Sequence, residues 1–166
     1  MKKLIALLLI LLSSCTISYK FNGASINYNL IKTISVSYFP IRAALVYPPL
    51  EEVFTNKLRD SYTRQTQLQM VDVNGDLQIE GEITGYDITP QAVGTDAYAT
   101  MTRLTITVKV TFTNSKEPQY DFTNRSFTAY QDFSSDRMLT DVQDELIDVI
   151  TDELVELIFN ATVANW

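Results

Sequence analysis

Few side chains in this sequence are equipped for chemistry, and the most specific of them is Cys15. It is the single cysteine among 166 residues, and it closes the run Leu12-Ser13-Ser14-Cys15. Ahead of it stand Lys2 and Lys3 and a nine-residue apolar run from Leu4 to Leu12. A basic start, a short apolar stretch and a Leu-small-small-Cys box have the form of a bacterial lipoprotein signal. As a helix the apolar run would span about 14 Å, roughly half a bilayer core. Residues 1–14 therefore read as a signal to be removed. The anchor would be acyl chains on the sulfur and new amino terminus of Cys15, each buried methylene contributing about 0.8 kcal/mol. An ordinary secretory signal with a coincidental cysteine is the other reading of the same residues.

The remaining candidates for chemistry are weaker. Asp72, Asn74, Asp76 and Glu80 have the look of a calcium loop, but Leu77 stands where its glycine belongs and Ile83 where its closing glutamate belongs. Asn74-Gly75-Asp76 reads instead as a hairpin turn. Glu80 and Glu82 share one strand face and could serve as paired carboxylates, although solvent-facing strand positions are commonly charged for solubility. The chain has no histidine, so neither a His-based triad nor a His-containing zinc site can be built. Gly-x-Ser-x-Gly, Ser-x-x-Lys and Gly-rich phosphate loops are absent from the sequence. The reading is of a protein that is not an enzyme and carries no cofactor or metal.

Charge narrows the partners. The whole chain has a net charge of −7, and loss of Lys2 and Lys3 with the signal makes it two units more negative. Nucleic-acid binding, which is driven by basic patches, is excluded on that balance. So is lying flat on anionic lipid, which leaves tethering to the acyl chains.

The elements that must position any site follow from periodicity. Residues 15–29 read as a lipidated, polar and aromatic tether and entry segment leading into one α+β domain over 30–166. From Lys32, Ile34, Val36 and Tyr38 alternate with Thr33, Ser35 and Ser37 as a half-buried strand stopped by Pro40. Pro48-Pro49 opens a helix over roughly 49–65, with Leu50, Val53, Phe54, Leu58 and Tyr62 on one face. Leu68 to Val73 is a short strand. Leu77, Ile79, Gly81 and Ile83 begin the next, in which Gly81 and Gly85 suggest a bulge or a sharp coil. A polar loop from Pro90 to Ala99 leads to the clearest strand, with Leu104, Ile106, Val108, Val110 and Phe112 alternating against Arg103, Thr105, Thr107, Lys109 and Thr111. A last strand near Tyr120–Phe133 shifts its aromatic parity, placing a bulge near Asn124. The final helix is expected from a capping box at Thr140-Asp141-Val142-Gln143 to about Asn160. Its apolar stripe includes Val142, Leu146, Val149, Ile150, Leu154, Leu157 and Ile158. The order β-α-β-β-β-β-α, with one apolar face per strand and two amphipathic helices, implies an α+β two-layer sandwich: a mostly antiparallel sheet of four to five strands covered by two helices.

Two surface features resist explanation as plain solvation. After Arg137 the chain has seven acidic residues and no base, although a helix C-terminus is already the negative pole of its dipole. Val155 and Phe159 fall on that acidic side, away from the stripe. Either other parts of this domain wrap them or they dock on a basic or apolar partner. The Thr-rich strand face bearing Arg103 and Lys109 is either plain exposed sheet or a face offered to an anionic amphiphile or a barrel interior.

Several segments, taken in order, resemble the lipopolysaccharide-assembly lipoproteins, the small lipoprotein subunit of the outer-membrane lipopolysaccharide translocon. They are Phe21-Asn22-Gly23-Ala24-Ser25-Ile26, Ile34-Ser35-Val36-Ser37-Tyr38-Phe39-Pro40, Gly75-Asp76-Leu77, Gly81-Glu82-Ile83-Thr84-Gly85-Tyr86, Arg103-Leu104-Thr105-Ile106-Thr107-Val108 and Val163-Ala164-Asn165-Trp166. The resemblance implies a sheet covered by two helices and an outer-membrane, periplasm-facing location. It also implies that the chain plugs a large partner β-barrel, helps it assemble and takes part in lipopolysaccharide insertion at the cell surface. The competing expectation is a lipid- or ligand-binding lipoprotein acting alone in the periplasm, which would need a deep apolar pocket.

Overall fold

The computed structural model describes residues 26–92 and 99–164. The signal segment, Cys15 and the tether up to residue 25 lie outside the described residues. Five strands and two long helices follow one another: β1 (Thr33–Val36), α1 (Pro49–Gln65), β2 (Gln69–Met70), β3 (Leu77–Ala92), β4 (Ala99–Asn114), β5 (Phe122–Ser134) and α2 (Leu139–Phe159). A 3₁₀ turn, Pro118–Tyr120, precedes β5, and α2 widens into a π-helical turn over Asn160–Ala164. This is the expected β-α-β-β-β-β-α order in two layers. The sheet order is β2-β1-β3-β4-β5. Strands β3, β4 and β5 form a long antiparallel meander, while β1 runs parallel to both β2 and β3, so the sheet is mixed.

Strand β4 organises the packing. Leu104, Ile106, Val108, Val110 and Phe112 are completely buried on one of its faces. Register sets Ile79 beside Phe112 and Ile83 beside Val108 on one flank, with Ala129 beside Ile106 and Phe127 beside Val108 on the other. Over this floor lie Leu50, Phe54, Leu58 and Tyr62 of α1 and Leu146, Ile150, Leu154 and Ile158 of α2, all buried. Each such side chain contributes about 1.5–3 kcal/mol on leaving water.

The parallel half is held by side chains. Strand β1 stops at Val36 and contact with β3 resumes at an Ile41–Ile83 bridge, while α1 satisfies two amides of the segment beyond the strand. Phe39 N–H donates to Thr55 Oγ1 at 3.2 Å, and Ile41 N–H donates to Glu51 at 2.7 Å. Arg59 reaches the Val36 carbonyl through Nε and a terminal nitrogen at 3.1 and 2.8 Å. Phe39 itself lies on the β3 backbone at Gly81, where any side chain would meet its ring at 2.5 Å. Gly81 is thus a slot for an aromatic ring, whereas Gly85 does sit at a register shift, between Ile83 and Gly85. The second expected bulge is also present: pairing skips across Thr123 and Asn124 opposite Thr111, and Asn124 adopts φ +52°.

Three local expectations are corrected. Asn74-Gly75-Asp76 is not a hairpin turn, because β2 and β3 are both parallel to β1 and lie on opposite sides of it. The segment instead crosses β1, so closely that a side chain at Gly75 would stand 2.5 Å from the Ser35 nitrogen. The capping box does not form either. Thr140 is already inside the helix, Met138 is the N-cap without a side-chain bond, and Gln143 donates to the Tyr86 hydroxyl at 2.6 Å. Finally, the buried arc of α2 is rotated from the expected stripe. Val149 and Leu157 are 46% and 39% exposed, while Val155 and Phe159 are only 8% and 5% exposed. Helix α2 has two neighbours, the sheet and α1, and the second draws Thr151, Val155 and Phe159 inward.

Asp76 locks the crossing. One carboxylate oxygen accepts from Lys32 N–H, Thr33 N–H and the Thr33 hydroxyl at 2.9, 3.1 and 3.1 Å, and Lys116 pairs with the other at 3.1 Å. The bond from the Lys32 amide is the largest cause holding this carboxyl at about 2, against an ordinary value near ~3.9. Because folding favours the ionised form, its stabilisation is complete above the ordinary value and is lost as pH falls through about 2. Asp76→Asn is expected to lower stability at neutral pH by about 1–3 kcal/mol. Urea unfolding of both chains should show that gap closing as the medium is acidified through the same window.

Candidate functional site

The helices cover one face of the sheet. The opposite face, around β4, has no layer over it among the described residues. Its β4 row is Arg103, Thr105, Thr107, Lys109, Thr111 and Thr113, all partly or fully exposed. These residues stand between Glu82, Asp87 and Thr89 of β3 and Ser126, Thr128, Tyr130 and Asp132 of β5. The Thr107 and Thr128 hydroxyls are 3.1 Å apart. At one end Arg103 grips Asp132 through two bonds of 2.7 and 2.9 Å and lies 3.7 Å above the Tyr130 ring. The hydrogen bonds of this fork raise the Arg103 pKa and lower that of Asp132. A bidentate pair of this kind fixes both side chains.

The structure therefore brings Arg103 and Lys109 onto one strand face, six residues or about 20 Å apart at ~3.3 Å per residue. Their states differ. Arg103 is neutralised by Asp132, whereas Lys109 is exposed and forms no ion pair with a described residue. Glu80 and Glu82 lie on the same open face, Glu80 opposite Thr111 and Glu82 opposite Lys109. Hydroxyls, one ion pair and exposed charges of both signs can bind and orient a polar surface.

Val155 and Phe159 lie in the other layer, at the seam between the helices. Phe159 packs on Tyr62 with ring centroids 5.2 Å apart, and the buried Tyr62 hydroxyl bonds Thr162. Burial pushes the Tyr62 hydroxyl pKa upward. Lys57 joins the helices by pairing with Asp148 and Asp152, each at 2.6 Å; partial burial opposes its charge, but the two carboxylates outweigh that and raise its pKa. The Tyr47 hydroxyl donates to Asp144 at 2.5 Å. Above this seam is an open groove of about 710 Å³ edged by Lys57, Arg64, Asp152, Glu156 and Phe159. Sequence reasoning missed Lys57 as the α1–α2 link and Tyr47, just ahead of α1, as a further tie to α2. It also missed Tyr130 and Asp132 as partners of Arg103, although the parity of β5 past its bulge places them on the open face.

A sequence model of the LptE lipopolysaccharide-assembly family matches residues 31–162, all but the ends of the described domain. This chain belongs to the lipopolysaccharide-assembly family. No curated protein matches it in sequence. In structure it is similar to a hypothetical protein of Chlamydia trachomatis, with a TM-score of 0.52, 9% identity and coverage of 81% of this chain and 99% of that one. Protein XCC0632 of Xanthomonas campestris gives a TM-score of 0.51 at 11% identity, covering 78% of this chain and 84% of that one. Uncharacterized lipoprotein B of Nitrosomonas europaea gives 0.50 at 9% identity, covering 77% and 79%. At these identities the likeness shows a shared fold. The lipopolysaccharide-assembly domain has no described helix long and apolar enough to cross a membrane.

The seam explains Val155 and Phe159 by packing within the chain. Phe159→Ala is expected to cost about 3–5 kcal/mol, the usual loss for removing a buried ring. A shift of the chemical-denaturation midpoint at unchanged slope would register it, and a loss below about 1 kcal/mol would contradict a packing role.

Proposed function

We propose that this lipopolysaccharide-assembly protein is anchored to the outer membrane through acyl chains on Cys15. There it plugs a large partner β-barrel of the lipopolysaccharide translocon and assists its assembly. The observation that supports this reading is the open sheet face: a row of β4 threonines with Arg103 clamped at one end and Lys109 opposite Glu82, flanked by Glu80 and Asp87 of β3. The interior of a large membrane barrel is polar and wet, and a face of hydroxyls and mixed charges matches it. Lipidation at Cys15 would hold the domain beside the membrane and raise its effective concentration near a membrane partner.

The face also bears on how lipopolysaccharide is met. Phosphate recognition uses clustered, available cations. Here Arg103 is committed to Asp132, and Lys109 stands about 20 Å from it along the strand. That arrangement supports a seat for a protein partner more than a strong phosphate site. The alternative of a lone ligand-binding lipoprotein calls for an enclosed apolar chamber. The grooves at the helix seam and beside β5 are open and edged by charged side chains, which favours the contact-surface reading.

Affinity purification of the tagged chain from its own outer membrane is expected to recover one large β-barrel in near-equal amount. Replacing Thr107 by Lys and Thr128 by Glu together should cut that recovery by about tenfold, equivalent to ~1.4 kcal/mol of binding, with little change in the unfolding midpoint because an opposite-charge pair replaces the bonded hydroxyls. Cys15→Ala should move the chain to the soluble fraction. Recovery of the unmodified chain alone would sink the plug reading.

A further inference from the structure

The two edges of the sheet are unlike. Strand β2 is only two residues long, whereas β5 runs for thirteen and pairs on one side only among the described residues. Edge strands are normally guarded by proline, lysine, inward charge or brevity. Beyond its bulge, β5 reads Arg125-Ser126-Phe127-Thr128-Ala129-Tyr130-Gln131-Asp132-Phe133-Ser134, without proline, glycine or lysine, and its one cation, Arg125, lies over the Phe122 and Phe127 rings. Its one acid, Asp132, is held by Arg103 on the open face. Beside this stretch, on the helix side, a groove of about 190 Å³ is floored by Phe133, Val142 and Leu146 and walled by Val149 and Glu145 of α2. Val149, 46% exposed, and Leu157, 39% exposed, stand on α2 away from α1.

From this we infer that β5 is a docking edge that accepts an extended, basic segment of a partner polypeptide as a sixth strand. Its alternate apolar side chains would fill the groove against Phe133 and Val149. Strand addition draws affinity from backbone hydrogen bonds and specificity from alternate side-chain pockets. Charge selects the occupant. Glu145, which walls the groove, and Glu153, each one helical turn from Val149, are exposed and make no ion pair with a described residue. A second copy pairing through β5 would set two such helices side by side, acid against acid. A strand bearing lysine or arginine would face opposite charge there instead. Arg137, which also borders the groove, places the basic residues of the partner toward the middle of the edge. This surface is distinct from the open face, so the inference does not depend on the plug reading.

The test uses the full chain in detergent and an eight-residue peptide whose four alternate, helix-side positions carry two valines and two lysines, with threonine at the other four. Backbone amide signals of β5 are expected to move on titration. Affinity should fall by about tenfold or more when glutamate replaces the lysines, and equally with Val149→Lys in the protein. N-methylation of one alternate set of peptide amides should abolish binding, while methylation of the other set leaves it intact, because a paired strand uses only one set. Equal binding of both methylated peptides would overturn the inference by showing attraction without strand pairing. Signal changes confined to the open face, or self-association of the chain through β5, would overturn it as well.

Discussion

The structure rests on the alternation of β4 as the central strand of an unequal sandwich. Five consecutive inward positions, Leu104, Ile106, Val108, Val110 and Phe112, are sealed completely beneath two helices. The intervening positions are threonines, Arg103 and Lys109, which need water or a polar partner. A one-residue slip of register would exchange these faces, so β3 and β5 must be pinned against β4. The bulges at Gly85 and Asn124 restore the parity of both neighbours where their sequences would otherwise turn apolar residues outward. One pattern therefore fixes both the core and the exposed face.

The helical layer follows from that constraint. Two helices on one five-stranded face must also pack on each other, and α2 answers with a buried arc shared between the sheet and α1. Phe159 against Tyr62 fills the seam, and Lys57 between Asp148 and Asp152 closes its rim. The acidic surplus of α2 is partly spent in this way. Of what is left, Glu145 and Glu153 flank Val149 on the side of β5. Shape and charge are thereby divided: a polar level face on one side of the molecule, and an acidic ledge with an apolar step along one edge.

Much of this was legible from residues alone. Alternation around Val108 gave the central strand, Pro48-Pro49 with Leu50, Phe54, Leu58 and Tyr62 gave α1 over 49–65, and the aromatic shift at Phe122 and Phe127 located the bulge at Asn124. The failures share a physical origin, since each involved a contact between segments distant in sequence. Asn74-Gly75-Asp76 has the local chemistry of a hairpin, yet parallel pairing with β1 turns it into a crossing locked by Asp76. Thr140 and Gln143 have capping-box spacing, but Tyr86 takes the glutamine. Val155 and Phe159 lie off the helical stripe until α1 is placed beside them. For the site, the candidates Arg103 and Lys109 were visible by parity. Their unequal states were not, because Asp132 comes from another strand.

The proposed contact role rests on membership of the lipopolysaccharide-assembly family and on a polar sheet face left uncovered among the described residues. The central claim is that this face is covered in the membrane. A thiol placed at Thr107 tests it most directly, because acylation of Cys15, the single native cysteine, would leave that new thiol the only reactive one. With Thr107→Cys, the account predicts slow labelling by a hydrophilic maleimide in intact outer membranes and fast labelling of the same chain purified free of partners. Equally fast labelling in both settings would contradict it, leaving the face as ordinary solvated sheet.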